Sequence, residues 1–319
     1  MDNKNGSNAT NNLGKEDVNR SDYRGALVLF GLLSISAIAA NSLILVLIWK
    51  KRHLRTTSNT ILASLAVSDL LTGVVAVPMV IACTETLIQD VCIAMDISNR
   101  FLAFSSVAHL IILSVDRYIR IIKILQYPSI VTKVRLAWTL AFTWVFSLLA
   151  SLVQLTWVLH ATMDDDTMIR FDLGYDFFHM IALVMVPLFL MISIYTKLFI
   201  HLRWQCKEIH SDLSGHTVSR FNARRRKVNE KKTAFLFIAM ITVFIFGLFL
   251  YFLWAIIDDL EVIGLLNIER SAQNIIVPVI IFLRFLSALC NPLLCTFMKQ
   301  DFLDALKSFL NALRSSRRV

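Results

Sequence analysis

The sequence is short of charge, of helix breakers and of catalytic motifs. Asp, Glu, Lys and Arg make up only 17% of its 319 residues, where a soluble domain carries about a quarter. This apolar composition excludes intrinsic disorder. Gly 9 and Pro 5 exclude a collagen-like repeat, and Cys 5 is too few for a disulfide-stapled secreted module. Seven His are present, but none forms an HxxxH or HExxH pair, so the ligand spacing of a zinc hydrolase is missing. There is no Gly-rich phosphate loop, and no internal repeat of the kind that builds secondary transporters. The first 25 residues are polar and hold no apolar h-region, so no cleavable signal peptide is read there.

What the chain has is apolar length. Hydrophobic residues make up 56% of it, and its mean hydropathy is +0.64. A helix crossing a bilayer needs about 20 such residues. The sequence offers seven spans: Ala26–Trp49, Asn59–Cys83, Val91–Ile122, Val134–Val158, Phe177–Leu202, Thr233–Ile257 and Ala272–Met298. The expected fold class is an all-α membrane protein, a seven-transmembrane helix bundle with a short amphipathic helix after the seventh span. In that helix Phe302, Leu306, Phe309 and Leu313 share one face.

Charge orients the bundle. With the N-terminus outside, the inner segments carry 24 Lys/Arg against 7 outside, with Arg284 inside a span. Acidic residues run the other way, 16 outside and 6 inside, with Asp69 in a span. That asymmetry follows the positive-inside rule. Three sequons, at Asn5, Asn8 and Asn19, crowd the tail and agree with an extracellular, glycosylated N-terminus. The net charge of +9 is thus the sum of a basic inner surface and an acidic outer one, which removes nucleic acid as a partner. The expected organisation is a tail over 1–25, a seven-helix domain over 26–298 with its third inner loop at about 203–232, and an amphipathic helix with cytoplasmic tail over 299–319. The expected location is the plasma membrane.

The spans carry one polar or breaking motif each. Asn41 lies in span one and Leu65-Ala66-Val67-Ser68-Asp69-Leu70 in span two. Asp116-Arg117-Tyr118 closes span three, and Trp144 lies in span four. Pro187 and Tyr195 lie in span five, and Asn291-Pro292-Leu293-Leu294-Cys295 ends span seven. Together, in this order over about residues 26–310, they resemble the rhodopsin-like G-protein-coupled receptors. The stretch DRYIRIIKILQYPSIVT, Asp116–Thr132, is similar to melanocortin and adenosine receptors. The resemblance implies a receptor, not an enzyme. Such a protein transmits an extracellular ligand signal, from a peptide or small molecule, to a heterotrimeric G protein by movement of spans five to seven. The competing reading is a divergent seven-span transporter or ion channel, favoured only by the two intramembrane charges.

The resemblance also assigns roles. Asp116, Arg117, Tyr118, Tyr195, Asn291 and Pro292 belong to the switch that couples to the G protein, with Glu230 as the latch partner of Arg117. Arg117 as a snorkelling cation, with Glu230 paired locally to Lys231 and Lys232, is the alternative. A carboxylate at mid-bilayer normally marks function. Asp69 would face Asn41, Ser106, Ser287 and Asn291, a set of oxygens suited to a sodium ion or equally to a hydrogen-bonded water network. No other metal or cofactor is expected. Retinal is excluded because no Lys lies between Lys232 and Lys299. The basic run Arg224-Arg225-Arg226-Lys227 suits either the G protein or anionic inner-leaflet lipid.

The chain also departs from the family pattern. Span six lacks Cys-Trp-x-Pro and reads Gly247-Leu248-Phe249-Leu250, and the Tyr of the span-seven motif is Cys295. Cys92 starts span three, but the second outer loop has no Cys. A Cys83–Cys92 bond and two free thiols are the alternatives. The residue that meets amines in the family is Asn99 here, with Asp96 about a turn above it. The candidate ligand pocket is Asp96, Asn99, Phe249 and Arg284. Arg284 either is satisfied internally, by Asp96 or a water network, or anchors an acidic ligand group. The acidic outer loops are a solvated rim or a vestibule for a cationic peptide or divalent ion.

Overall fold

The computed structural model describes residues 5–159, 164–211, 238–239, 242–243, 246–298 and 300–316, of which 5–24, 165, 202–211, 294–298, 300 and 312–316 are described by their backbone alone. Among the described residues all regular structure is helical. Six helices are long and apolar enough to cross a membrane: Gly25–Lys50, Thr57–Thr86, Gln89–Ile122, Lys133–Val158, Asp166–His201 and Arg270–Leu293. A further helix over 246–262 is the outer part of span six. The first helix starts at Asn5, upstream of the expected Ala26. Span five also starts early, because Asp164 caps it. The Asp164 carboxylate accepts from the Thr167 N–H at 3.1 Å and from its hydroxyl at 3.0 Å. Those bonds hold the Asp164 carboxyl below its usual range. Part of the acidic run is therefore a helix N-cap.

Prolines shape two spans through wide turns instead of sharp kinks. Thr72–Ala76 and Met180–Met185 are π-helical and stand just ahead of Pro78 and Pro187. A proline ring collides with the carbonyl four residues back. A widened turn moves that carbonyl, of Val74 or Leu183, out of the way.

Two glycines set helix spacing where bilayer lipid supplies no hydrophobic drive for association. A Cβ at Gly73 would lie 2.8 Å from Ile38 Cγ1 and 3.1 Å from the Ser34 carbonyl oxygen, while Ser34 Oγ donates to the Gly73 carbonyl at 2.6 Å. A Cβ at Gly247 would lie 2.9 Å from the Leu283 carbonyl oxygen and 3.1 Å from Arg284 Cα. Spans one and two, and spans six and seven, thus meet backbone to side chain or backbone to backbone.

The core runs along span three, where Ala103, Val107, Leu110 and Leu113 meet Leu62, Leu65, Met191 and Leu198. Span four turns Trp138, Phe142 and Leu149 outward; such an apolar outer face suits lipid and would be unusual in water. After span seven, the helix Gln300–Ser316 tucks Phe302 and Ala305 against the inner end of the bundle. Lys51 Nζ donates to Ser308 Oγ at 2.8 Å, and Lys50 lies 5.0 Å above the Phe309 ring. At the outer end, Cys83 and Cys92 form a disulfide with their Cα atoms 4.9 Å apart. It closes the turn between spans two and three, where Leu87 takes the left-handed backbone (φ 53) that ends span two.

Candidate functional site

Polar side chains inside the bundle form three layers. The inner layer centres on Asp116, which is buried at the cytoplasmic end of span three. Its carboxylate accepts from the Ser58 hydroxyl and from Tyr127 OH, the latter at 2.7 Å. Tyr127 in turn accepts from Arg120 at 2.6 Å and lies 3.0 Å from Thr57 Oγ1. The Arg120 guanidinium also stacks 4.5 Å over the Tyr127 ring. One carboxylate thereby ties span three, the start of span two and the second inner loop. The sequence pattern singled out Asp116 and left Tyr127 and Ser58 unremarked. Arg117 and Tyr118 occupy the same last turns of span three, and Tyr195 is buried in the core beside it. Glu230, the expected latch partner, lies outside the described residues.

A second polar chain crosses spans two, three and four. Trp144 Nε1 donates to Ser64 Oγ at 3.1 Å, and Ser64 Oγ lies 2.7 Å from His109 Nε2. His109 Nδ1 is 2.6 Å from the Ser105 carbonyl, so Nδ1 carries the proton and Nε2 accepts from Ser64. His109 is a satisfied structural imidazole. No cluster of three or more metal-ligating His, Cys, Asp or Glu exists among the described residues.

The middle layer surrounds Asp69. Asn291 Nδ2 donates to Asp69 Oδ2 at 2.8 Å. Asn41 spends both amide hydrogens on carbonyls, those of Ala37 and Ala288, each at 2.9 Å. The second bond has a covalent cause. Pro292 has no N–H, so the carbonyl four residues earlier, that of Ala288, loses its helical donor, and Asn41 replaces it across the bundle. Ser106 pairs with Ser68 at 3.0 Å, and Ser287 donates to the Arg284 carbonyl at 2.8 Å. Asp69 lines two small cavities. Asn41 and Asn291 line a cavity of about 10 Å³ on the inner side of Asp69. Ser106 and Ser287 line a separate cavity of about 20 Å³ on its outer side, with Arg284 in the same wall.

The outer layer holds a buried ion network. Arg100 Nε meets Asp96 Oδ2 at 2.9 Å, and Arg100 Nη1 is bonded to Asp176 Oδ1. The Arg100 and Asp176 side chains are 6% and 4% exposed. Gln154 donates to Asp96 at 2.8 Å, and the Tyr175 ring lies 4.9 Å under the Arg100 guanidinium. Next to it, His179 Nδ1 is 2.7 Å from the Tyr175 carbonyl, and its ring stacks 5.3 Å from Phe252. Spans three, four, five and six meet here.

This layer adds one residue and corrects two expectations. Arg100, inside the span Val91–Ile122, is a buried cation that the sequence pattern did not single out. The expected Asp96–Arg284 pair does not form, since Asp96 is engaged by Arg100. Arg284 instead donates to the Asn99 carbonyl at 2.7 Å and sits 4.5 Å and 5.3 Å from the Tyr251 and Phe285 rings. Phe249 does not join Asp96, Asn99 and Arg284. It lines a wide apolar groove between spans five and six with Leu188, Met191 and Phe246. Arg100 was detectable, as an unmatched cation a turn from Asp96; its partner Asp176 is 76 residues away and was placed in a loop.

A seven-span helical frame with a polar group at each level, sealed by Asn-Pro packing of span seven onto span one, is the architecture of a membrane receptor. Residues 40–294 match the family described as 7 transmembrane receptor (rhodopsin family), and the chain belongs to that family. Its relatives include the histamine H2 receptor of Cavia porcellus, 24% identical over 87% of this chain and 77% of that receptor. The 5-hydroxytryptamine receptor 1B of Equus caballus is 26% identical over 61% of this chain and 52% of that receptor. The QRFP-like peptide receptor of Branchiostoma floridae is 22% identical over 90% of this chain and 77% of that receptor. As a member of this family the chain is a receptor and not an enzyme.

Proposed function

We propose that the protein is a plasma-membrane receptor, N-terminus outside, that passes an extracellular ligand signal to a heterotrimeric G protein by rearranging spans five to seven. The observation that carries this reading is the inner layer, in which buried Asp116 is held by Ser58, Tyr127 and Arg120. Arg117 follows Asp116 directly at the cytoplasmic end of span three. An allosteric receptor needs a two-state element that ligand biases; Arg117 with Glu230 is the proposed one, and glycosylation at Asn5, Asn8 and Asn19 fits the orientation. The basic third loop serves the G protein or the anionic inner leaflet.

The outer layer restricts the ligand. Asn99 replaces the family's amine-binding carboxylate, and Asp96 and Asp176 are both committed to Arg100. A ligand ammonium therefore finds neither Asp96 nor Asp176 uncommitted; the carboxylate beside them with a buried oxygen that has no hydrogen-bond partner is Asp259. The test is guanine-nucleotide exchange on purified G proteins, run over amine, peptide and acidic small-molecule panels with Arg117→Ala as control. Exchange that depends on the receptor and disappears in Arg117→Ala supports the reading. Equal exchange in both proteins, or ion flux in its place, refutes it. Any response to histamine or 5-hydroxytryptamine is expected to survive Asp96→Asn; activation by either that Asp96→Asn abolishes would overturn the ligand restriction.

A further inference from the structure

Two helix faces meet at the outer end of the bundle. Asp172, Asp176 and His179 share one face of span five. Phe252 and Asp259 share one face of span six. The His179 ring stacks on Phe252 at 5.3 Å, and the two spans run in opposite directions. Seven residues outward from that stack, about 10 Å along either helix, Asp172 and Asp259 reach the same level. Like charges therefore face one another. Burial, followed by the Asp176, Asp172 and Asp258 charges, pushes the Asp259 carboxyl up, and the Arg100 guanidinium offsets this only in part.

The cluster is short of donors as well as of positive charge. Arg100 gives Nε to Asp96 and Nη1 to Asp176. Gln154 Nε2 donates to Asp96 and Trp157 Nε1 to Asp172 Oδ1, each at 2.8 Å. Arg284 lies deeper, on the Asn99 carbonyl and the Tyr251 ring. Asp259 Oδ2, Gln154 Oε1 and His179 Nε2 are buried without a hydrogen-bond partner. All three are acceptors, because His179 Nδ1 carries its proton toward the Tyr175 carbonyl at 2.7 Å. Gln154 and His179 are 7% and 0% exposed, and the Gln154 amide lies between Asp96 and Asp172. A solvated rim would leave its oxygens to water, whereas a buried polar atom without a partner is costly.

We propose that the ligand places a cationic N–H donor group, an ammonium or a guanidinium, between the outer ends of spans five and six, with Asp259 as its counter-ion and Gln154 Oε1 as an acceptor beside Asp172. This rests on the reading of the chain as a ligand-activated receptor, and it names the charge of what is sensed. The occupant supplies what the cluster lacks. Asp96, Asp172, Asp176 and Asp259 share the Arg100 guanidinium, and a second cation brings both charge and donors. Asp259 is the counter-ion because Asp96 and Asp176 are already held by Arg100 and Asp172 accepts from Trp157. A cation seated there attracts both helix faces, which repel one another without it. Its binding therefore draws together the outer ends of two spans that signalling has to move.

The experiment reads binding alone, so its failure leaves the nucleotide-exchange test of G-protein coupling untouched. The melting temperature of the purified full-length receptor is measured against agmatine, N-acetyl-arginine amide and N-acetyl-citrulline amide at constant ionic strength. The citrulline probe keeps the shape of the arginine one and carries a neutral urea. Both cationic probes are expected to raise the melting temperature of wild type by about 2–4 °C near saturation, and the neutral one to leave it unchanged. A larger rise with agmatine supports the site as one for a free amine, and a larger rise with the arginine amide supports it as one for a peptide side chain. The rise is expected to vanish in Asp259→Asn and to persist in Asp166→Asn, which removes an exposed acid of the same outer end. In Asp172→Asn, which keeps an acceptor for Trp157, the probe concentration for half the rise is expected to increase about two- to fivefold; this variant carries the test if Asp259→Asn does not accumulate. An equal rise in wild type and Asp259→Asn overturns the proposal. So does an equal rise with the neutral probe, no rise with either cationic probe, or an unchanged half-point in Asp172→Asn.

Discussion

Arg100→Met is the perturbation with the largest expected cost. The substitution keeps a long flexible side chain of similar reach, so little packing is lost. It removes the cation that sits between Asp96 and Asp176. Asp176 then has no remaining hydrogen bond at the oxygen Arg100 engaged, and Asp96 keeps only Gln154 at 2.8 Å. Removing one partner of a buried ion pair costs about 3–5 kcal/mol. At about 1.4 kcal/mol per tenfold change, that is on the order of a hundred- to several-thousand-fold in the folded-to-unfolded ratio. The assay is the melting temperature of purified receptor, with surface abundance in cells read alongside. Adding Asp176→Asn to Arg100→Met removes one orphaned charge and is expected to restore a good part of the loss. Arg100→Lys keeps the charge but has no planar fork to reach both carboxylates, and is expected to fall between. An Arg100→Met protein that melts like wild type, or no recovery on adding Asp176→Asn, would show that the network holds nothing together.

Asn41→Leu is expected to orphan the Ala288 carbonyl and lower stability by about 1–3 kcal/mol; in a Pro292→Ala background, where the helix regains its own donor, the loss in melting temperature should be smaller. Gly247→Ala places a Cβ 2.9 Å from the Leu283 carbonyl oxygen and should destabilise by about 1–3 kcal/mol through forced separation of spans six and seven. Gly31→Ala, with nothing within 4 Å of the new Cβ, is its control and should be neutral. Burial, followed by the Asp176 and Asp172 charges, pushes Asp259 up to about 7. The folded state then binds the extra proton between the usual carboxylate pKa of 3.8 and about 7. Stability should fall as pH rises through that window and level off above it, and Asp259→Asn should flatten the slope of melting temperature against pH.

The fold was legible because hydropathy, Lys/Arg asymmetry and one motif per span all report the same physical requirement, that apolar helices bury their polar groups inside. The inner and middle layers were legible only as residue lists. Asp116, Asp69, Asn41 and Asn291 are marked by being polar where lipid is expected, but their partners are set by tertiary geometry. Tyr127 reads as an ordinary loop tyrosine until the loop folds back onto span three. Asn41 reads as an ion ligand, and nothing in its residue type announces that its Nδ2 donates to the carbonyl freed by Pro292. The outer layer was misread for a definite reason. Asp176 stands one residue ahead of the expected start of span five and so reads as a loop acid, although the helix begins at Asp165 and buries it against Arg100. Cys83 and Cys92 were left open because two cysteines nine residues apart pair only if the turn between them is tight, and Leu87 supplies that turn with a backbone conformation no pattern of residue types announces.

The three layers differ in how they would resist motion. Arg100 with Asp96 and Asp176 fixes span three to span five, and Asn41 with Asp69 fixes span seven to spans one and two. Asp116 fixes span three to span two. These are directional bonds, lost abruptly when helices shift. Near Gly247, span six is held differently, by Phe252 on the His179 ring, by Tyr251 beneath Arg284 and by the bare Gly247 backbone against Leu283. Stacking and van der Waals contacts change gradually with sliding. A ligand with a few kcal/mol of differential affinity is therefore expected to shift this described stretch of span six gradually. Gly247 stands in the stretch of span six that lacks the family's Trp and Pro, so the close contact with Leu283 falls where the family has its kink.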